Sequence, residues 1–197
     1  MVFDLGGVIV DWNPRYLMDR AISDVGRREE FLAWIPAANF LAALDAAPDS
    51  RAAIAPIIAQ HPQYAAEIVT YIDRFEETVA GEFPDMAALA LRLQEANVAL
   101  YGLTNWAGDT FDLVRPRLPT LALMRDIVVS GHEGIIKPDP RIFELMCRRG
   151  GFTPSQAVFI DDNLKNAEAA RAFGMLGIHH RSADQTISEL RALGLPA

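Results

Sequence analysis

Four short segments carry side chains able to do chemistry, and each follows an apolar run. Asp4 interrupts the opening run of residues 1–10 and is followed by Gly6 and Gly7, which let the backbone turn sharply. A carboxylate at the end of a buried strand, in a narrow pocket, can act as a nucleophile and form an acyl phosphate or an ester. Thr104, in Tyr101-Gly-Leu-Thr-Asn-Trp106, offers a hydroxyl followed by backbone N–H groups suited to phosphate oxygens. Lys137 stands just before Pro138 and a helix start, where it is held more firmly than a surface lysine and could neutralise a nucleophile and a transferred group. Asp161 and Asp162 are adjacent carboxylates after an apolar strand, with Asn166 on the first turn of the next helix. Two such groups repel, and burying them is costly without a cation. Their hard oxygens suit Mg²⁺. Taken singly, each segment also has a plain structural reading: an Asp turn, a Thr-Asn turn, a solvated loop lysine, a helix N-cap.

The elements that must position these residues are legible in the hydropathy pattern. Strand-like runs at residues 2–10, 98–103, 126–130, 157–160 and 175–178 alternate with helical patterns at 84–96, 140–149 and 164–173. A last helix is opened by Ser182 with Gln185 as a capping box and stops at Gly194. This alternation predicts an α/β fold with a mainly parallel five-stranded sheet and helices on both faces. All four segments then lie at strand ends, on the edge where open sheets bind ligands. The interval between the first two strands holds no convincing strand. Residues 13–24, 26–35, 49–60 and 62–80 read as helical, and a single crossover helix would use only 84–96. The remainder is expected to be an inserted helical subdomain, with Trp12, Trp34 and Phe40 at its seam with the core.

A chain of 197 residues can bury a full core and still carry such an insertion. The net charge of −8 argues against nucleic acid or an anionic membrane as partner, because both need a basic footprint. A small anionic substrate would instead need local positive charge. Cys147 is the only cysteine, which excludes an internal disulfide and predicts a reducing compartment. No segment has the length of a membrane span and no signal peptide precedes the first strand, so a cytoplasmic location is expected. Only three residues precede Asp4, which is short for a central strand, so the natural chain is expected to extend upstream. Adjacent His179 and His180 would face opposite ways on a strand, which argues against a shared metal site.

In order, the four segments resemble the motifs of the haloacid dehalogenase-like (HAD) hydrolase superfamily: Phe3-Asp-Leu-Gly-Gly7, Leu103-Thr104, Lys137-Pro138 and Ile160-Asp-Asp162. The resemblance covers residues 1–13 and 84–197, the expected core domain. Residues 14–83 match a C1-type helical cap in position more than in sequence. The resemblance implies a Rossmann-like sheet with Asp4 on its central strand, flanked by the strands ending at Thr104 and Asp161. It implies that Asp4 is the nucleophile, that Thr104 and Asn105 bind substrate, and that Lys137 steadies the charge. Mg²⁺ would be held by Asp4, Asp161, Asp162 and the backbone carbonyl of Gly6.

Phosphatases of this superfamily usually carry a second aspartate two positions after the nucleophile, as general acid and base, and here that position is Gly6. Such help is worth about 10²–10⁴-fold in rate. Three readings follow. In the first, the protein is a Mg²⁺-dependent phosphomonoester hydrolase acting on a small phosphorylated metabolite through an aspartyl phosphate on Asp4. Glycine at position 6 with its Ile-Val-Asp continuation is similar to the glucose-1-phosphate phosphatase branch, whose anomeric leaving group needs less protonation; Asp11 or a water would stand in for the acid. The second reading is a metal-independent 2-haloacid dehalogenase, a group that also lacks the second aspartate and matches at Asn105, although the Asp161–Asp162 pair counts against it. The third is a catalytically degenerate binding module.

Overall fold

The computed structural model describes residues 1–197. Its seven strands are β1 (Val2–Phe3), β2 (Val10–Trp12), β3 (Val79–Glu82), β4 (Tyr101–Thr104), β5 (Asp126–Val129), β6 (Val158–Asp161) and β7 (Leu176–His179). Five of them form one parallel sheet in the order β5-β4-β1-β6-β7, with Val2 opposite both Tyr101 and Phe159. The helices that cross over this sheet are α6 (Pro84–Glu95), α7 (Gly108–Val114), the short α8 (Ser130–Glu133), α9 (Pro140–Gly150), α10 (Leu164–Phe173) and α11 (Ala183–Ala192), numbered after five that lie earlier in the chain. Side chains alternate between the two faces as the pleat requires. Val2, Tyr101, Leu103 and Phe159 pack with Ile142, Phe143 and Met146 of α9. Phe3 and Ile160 turn to the opposite face, in the cluster that holds Leu89 and Leu93 of α6 and Leu190 of α11. The expected five-stranded sheet is therefore present, and all its pairings are parallel.

The opening run does not form one strand. After Phe3 the chain folds into a tight loop in which the Leu5 carbonyl accepts from the N–H groups of Val8, Ile9 and Val10 at 3.2, 2.9 and 2.8 Å. Gly7 takes φ +74° there, a left-handed conformation that favours glycine. Val8, Ile9 and Val10 are all fully buried. Burial within a loop thus produced the apolar run that reads as a strand. β2 then leaves the main sheet and pairs antiparallel with β3, Val10 opposite Glu82 and Asp11 opposite Gly81. This corrects the helical expectation for residues 62–80, because the helix there ends at Asp73 and residues 79–82 are extended.

Between the two strands of this ribbon lie α1 (Pro14–Ala21), α2 (Val25–Ala37), α3 (Phe40–Asp45), α4 (Ser50–Gln60) and α5 (Ala65–Asp73). Three start at capping side chains: Asn13 accepts from Arg15 N at 2.9 Å, Asp24 from Arg27 N at 2.7 Å and Asp49 from Ala52 N at 3.1 Å. Trp34, Phe40, Tyr71, Phe75 and Trp106 form a chain of rings with centroids 5.4–5.9 Å apart, running from the insertion to the end of β4. Such contacts add to burial and stiffen the seam. No helix of the molecule is long and apolar enough to cross a membrane.

Candidate active site

The carboxyl ends of β1, β4 and β6 bring the expected residues to one edge of the sheet. Asp4 follows β1 directly and is 7% exposed. Its Oδ1 accepts from its neighbour Leu5 N at 2.7 Å, and Lys137 Nζ lies 2.9 Å from the same oxygen. The Lys137 side chain is fully buried, so the solvated-loop reading does not hold. Its ammonium also donates to Asp161 Oδ2 at 2.7 Å and to the Leu103 carbonyl at 2.9 Å. A buried charge survives only when it is paired and hydrogen-bonded in this way. The backbone of Lys137 is fixed as well: Asn105 Oδ1 accepts from its N–H at 2.8 Å and Asn105 Nδ2 donates to its carbonyl at 3.0 Å.

Asp161 is fully buried behind this lysine. Besides the ammonium, it accepts from Asn163 N at 2.8 Å and from Asn166 Nδ2 at 3.1 Å. Asp162 faces the cavity. The dihedral angle of Gly7 favours glycine, and a Cβ there would lie 2.5 Å from Asp162 Oδ2 and push that carboxylate aside. Oxygen atoms of Asp4, Asp161 and Asp162 lie within 4.8 Å of one another, three carboxylates facing one ammonium. Burial, then the charge of Asp161, pushes the Asp4 carboxyl well above the usual carboxylate range, and the same two causes raise Asp162. Burial acts to lower the Lys137 ammonium, but Asp4 and Asp161 override it and hold the group above its ordinary value. The donor set is all oxygen and carries excess negative charge, which fits a hard divalent cation such as Mg²⁺.

These residues line one wall of a cavity of about 370 Å³. Asp4, Gly6, Gly7, Thr104, Asn105, Lys137 and Asp162 face it, and Asp161 does not. The Thr104 hydroxyl makes no hydrogen bond within the chain, whereas both polar ends of the Asn105 side chain are taken up by Lys137. The opposite wall comes from the insertion and its ribbon: Trp12, Leu41, Leu44, Tyr71, Ile72 and Phe75, with Asp45 as the one carboxylate. Of the aromatic residues expected at the seam, Trp12 reaches the cavity, while Trp34 and Phe40 pack inside the insertion. Asp11 lies outside the cavity and accepts from Tyr16 OH at 2.8 Å, so it cannot supply the acid missing at Gly6.

The sequence reading missed the seam that closes the cavity. Gly108 N donates to the Ala47 carbonyl at 3.0 Å and Asp109 N to the Pro48 carbonyl at 3.1 Å. Asp109 in turn accepts from Ser50 N at 3.1 Å and Ser50 Oγ at 2.6 Å. Ser130 Oγ donates to the Asp45 carbonyl and accepts from Trp106 N at 2.9 Å. A Cβ on Gly131 would lie 2.3 Å from Gly108 N, 2.6 Å from Ala47 O and 2.7 Å from Trp106 O. Each of these partners is remote in sequence and no motif announces it.

The chain matches the haloacid dehalogenase-like hydrolase family over residues 1–174. A sesquiterpene phosphatase of Aspergillus oryzae is 29% identical over 198 residues, covering 98% of this chain and 94% of that protein. A HAD-family enzyme of Bacteroides thetaiotaomicron, solved with magnesium and inorganic phosphate, superposes with a TM-score of 0.65 at 21% identity, over 88% of this chain and 89% of its own. An L-2-haloacid dehalogenase of Xanthobacter autotrophicus with chloropropionic acid covalently bound gives 0.64 at 19% identity, over 100% of this chain and 83% of its own. At these identities the two solved structures share the fold with this chain.

Proposed function

The chain belongs to the haloacid dehalogenase-like hydrolases, and we propose that within this family it is a Mg²⁺-dependent phosphatase acting on a small phosphorylated metabolite. The observation that carries this reading is the cluster of Asp4, Asp161 and Asp162 around the single ammonium of Lys137 at the floor of the cavity. Asp4, Asp162 and the Gly6 carbonyl would hold the cation. Asp161, committed to Lys137 and Asn166, would support them from behind. When bound, Mg²⁺ would offset the charge of the phosphoryl oxygens and favour the ionised form of Asp4.

An oxygen of Asp4 attacks phosphorus in line with the departing alcohol, forming an aspartyl phosphate that water then hydrolyses. Lys137 holds Asp4 in position and spreads positive charge toward the transferring group. Thr104, whose hydroxyl is free, binds a phosphoryl oxygen, and Asn105 acts by fixing the lysine backbone. Residues 14–83 serve as the cap, joined to the core domain of residues 1–13 and 84–197. The apolar wall formed by Trp12, Leu41, Leu44, Ile72 and Phe75 favours an alcohol with an apolar face over a heavily hydroxylated sugar. The sesquiterpene phosphatase relationship agrees with that preference.

The dehalogenase alternative needs a cation for the carboxylate of its substrate. The only lysine at the cavity is already shared between Asp4 and Asp161, which leaves no free cation for that carboxylate. The test is phosphate release from prenyl phosphates, sugar 1-phosphates and 4-nitrophenyl phosphate, with Mg²⁺ and with chelator. Release that requires both Mg²⁺ and Asp4, lost on the order of 10⁴-fold or more in Asp4→Asn, is the expected result. Metal-independent halide release from 2-chloropropionate would replace this reading with the dehalogenase one, and ligand binding with neither activity would leave a binding module.

A further inference from the structure

Gly6 leaves the leaving-group oxygen without a proton donor from the core, and the structure offers one from the other side of the cavity. We propose that Asp45, at the end of α3 in the cap, is the general acid and base of the reaction; this rests on the phosphatase reading above. Three observations carry it. Asp45 is the one titratable carboxylate that the cap places at the cavity wall, opposite Asp4 and Lys137. Its own half-buried carboxyl enters no hydrogen bond or ion pair, whereas the two buried carboxylates of the site, Asp4 and Asp161, are both bonded. Its backbone, by contrast, is held fast. The carbonyl accepts from Ser130 Oγ, which accepts in turn from Trp106 N, two residues beyond the proposed phosphate ligand Thr104. The next residues, Ala47, Pro48 and Ser50, are hydrogen-bonded to the start of α7. A free carboxyl on a fixed backbone is what a proton donor needs, since its reach toward the reacting atoms is set before substrate arrives.

The charge environment supports the role. Burial pushes the Asp45 carboxyl up to about 7, with the Lys137 ammonium pulling the other way. The other groups facing the cavity are Asp4 and Asp162 from the sheet edge and Tyr71 from α5, whose hydroxyl is held protonated above its ordinary range by burial and by Asp45. Near neutral pH a substantial share of the molecules therefore carries the Asp45 proton at the start of the cycle. As Asp4 attacks phosphorus and the phosphorus–oxygen ester bond breaks, the Asp45 proton passes to the departing alkoxide, which leaves as the alcohol. The Asp45 carboxylate then takes a proton from the incoming water. The water oxygen bonds to phosphorus, the bond to Asp4 breaks, and inorganic phosphate leaves with Asp45 protonated again.

Leaving groups that need no proton separate this role from a structural one. Asp45→Asn is expected to lower kcat/KM for 2-phenylethyl phosphate about 100-fold and for 4-nitrophenyl phosphate far less. It is also expected to accumulate the aspartyl phosphate, visible by intact mass. Gly6 has open space where a Cβ would lie and does not use a left-handed conformation, so an aspartate fits there. Gly6→Asp in the Asp45→Asn background is expected to restore the alkyl phosphate rate at least 10-fold. Equal losses on both esters, or no loss on either, would overturn the assignment. Failure of the double variant to recover would overturn it as well. A wild-type protein releasing phosphate from neither ester would overturn the phosphatase reading itself, and this proposal with it.

Discussion

On the sheet side of the cavity Asp4, Lys137, Asp161, Asn105 and Asn166 hold one another in a closed network, while on the cap side Asp45, Tyr71 and Trp12 carry polar side-chain atoms that bond to nothing in the chain. The first arrangement resists change, because removing any member leaves a buried group unpaired. The second is adaptable: apolar walls tolerate substitution, and no hydrogen-bond network ties these polar atoms together. The family's chemistry is thus expected to reside in the network and the choice of substrate in the looser wall.

This contrast can be broken most directly at Lys137. Lys137→Met leaves three neighbouring carboxylates without a counter-charge and is expected to cost about 3–5 kcal/mol in urea unfolding. A second change, Asp4→Asn, should recover part of that loss by removing one of them. A loss below 1 kcal/mol would mean that the network is not the stabilised unit described here. Next in size is the response to metal. At 100 times its Kd, Mg²⁺ should add about 2.7 kcal/mol, a rise of about 5–10 °C in Tm for a chain of this length. Asp162→Asn should abolish most of that rise, and an unchanged rise would remove Asp162 from the ligand set.

The cap side sharpens the comparison through pH. The Asp45 carboxyl rises from 3.8 to about 7 on folding. Below pH 4 it is protonated whether the chain is folded or not, and its contribution is whole. Between pH 4 and 7 the unfolded chain releases the proton while the folded chain retains it, so stability falls as pH rises. The penalty reaches about 2 kcal/mol above pH 7 after allowance for solvent screening at the cavity wall. Asp45→Asn should therefore be more stable than wild type at pH 8 and equal to it at pH 4, as read from denaturation midpoints. Parallel pH profiles would show that the carboxyl is not desolvated. The smallest expected effect is at Leu41. Leu41→Ala should raise KM for a prenyl phosphate about 10-fold with little change in kcat, the mark of uniform binding.

The same contrast separates what was legible in the sequence from what was not. Asp4, Thr104 and the Asp161–Asp162 pair could be found because each ends or follows a strand, so their shared edge follows from parallel topology. Lys137 does not sit at a strand end as expected but in the loop after α8, and its ion pairs bring it to that edge. α10 was legible to the residue, because Asn163 caps its start and Gly174 takes a left-handed conformation at its end. α3 was not legible: it begins after Asn39 with no capping hydrogen bond, within an alanine-rich stretch. β3 was hidden because its only partner, β2, lies far upstream and the helix before it ends without a glycine or proline. The Asp161–Asp162 repeat concealed a division of labour that only burial reveals, one carboxylate bound to lysine and the other open to the cavity. Asp45 carried no local signal, since its place depends on hydrogen bonds to residues of α7 and α8.

Gly131 has three backbone segments packed where a side chain would begin: the start of α7, the cap loop at Ala47 and the turn after Thr104. In evolutionary terms this is a site with almost no neutral neighbours, although it touches no reacting group. A single methyl there would act as a wedge, spreading all three segments at once and carrying Asp45 away from Asp4. The apolar lining of the cavity hangs from this point, and the keel to which it is fastened must remain bare.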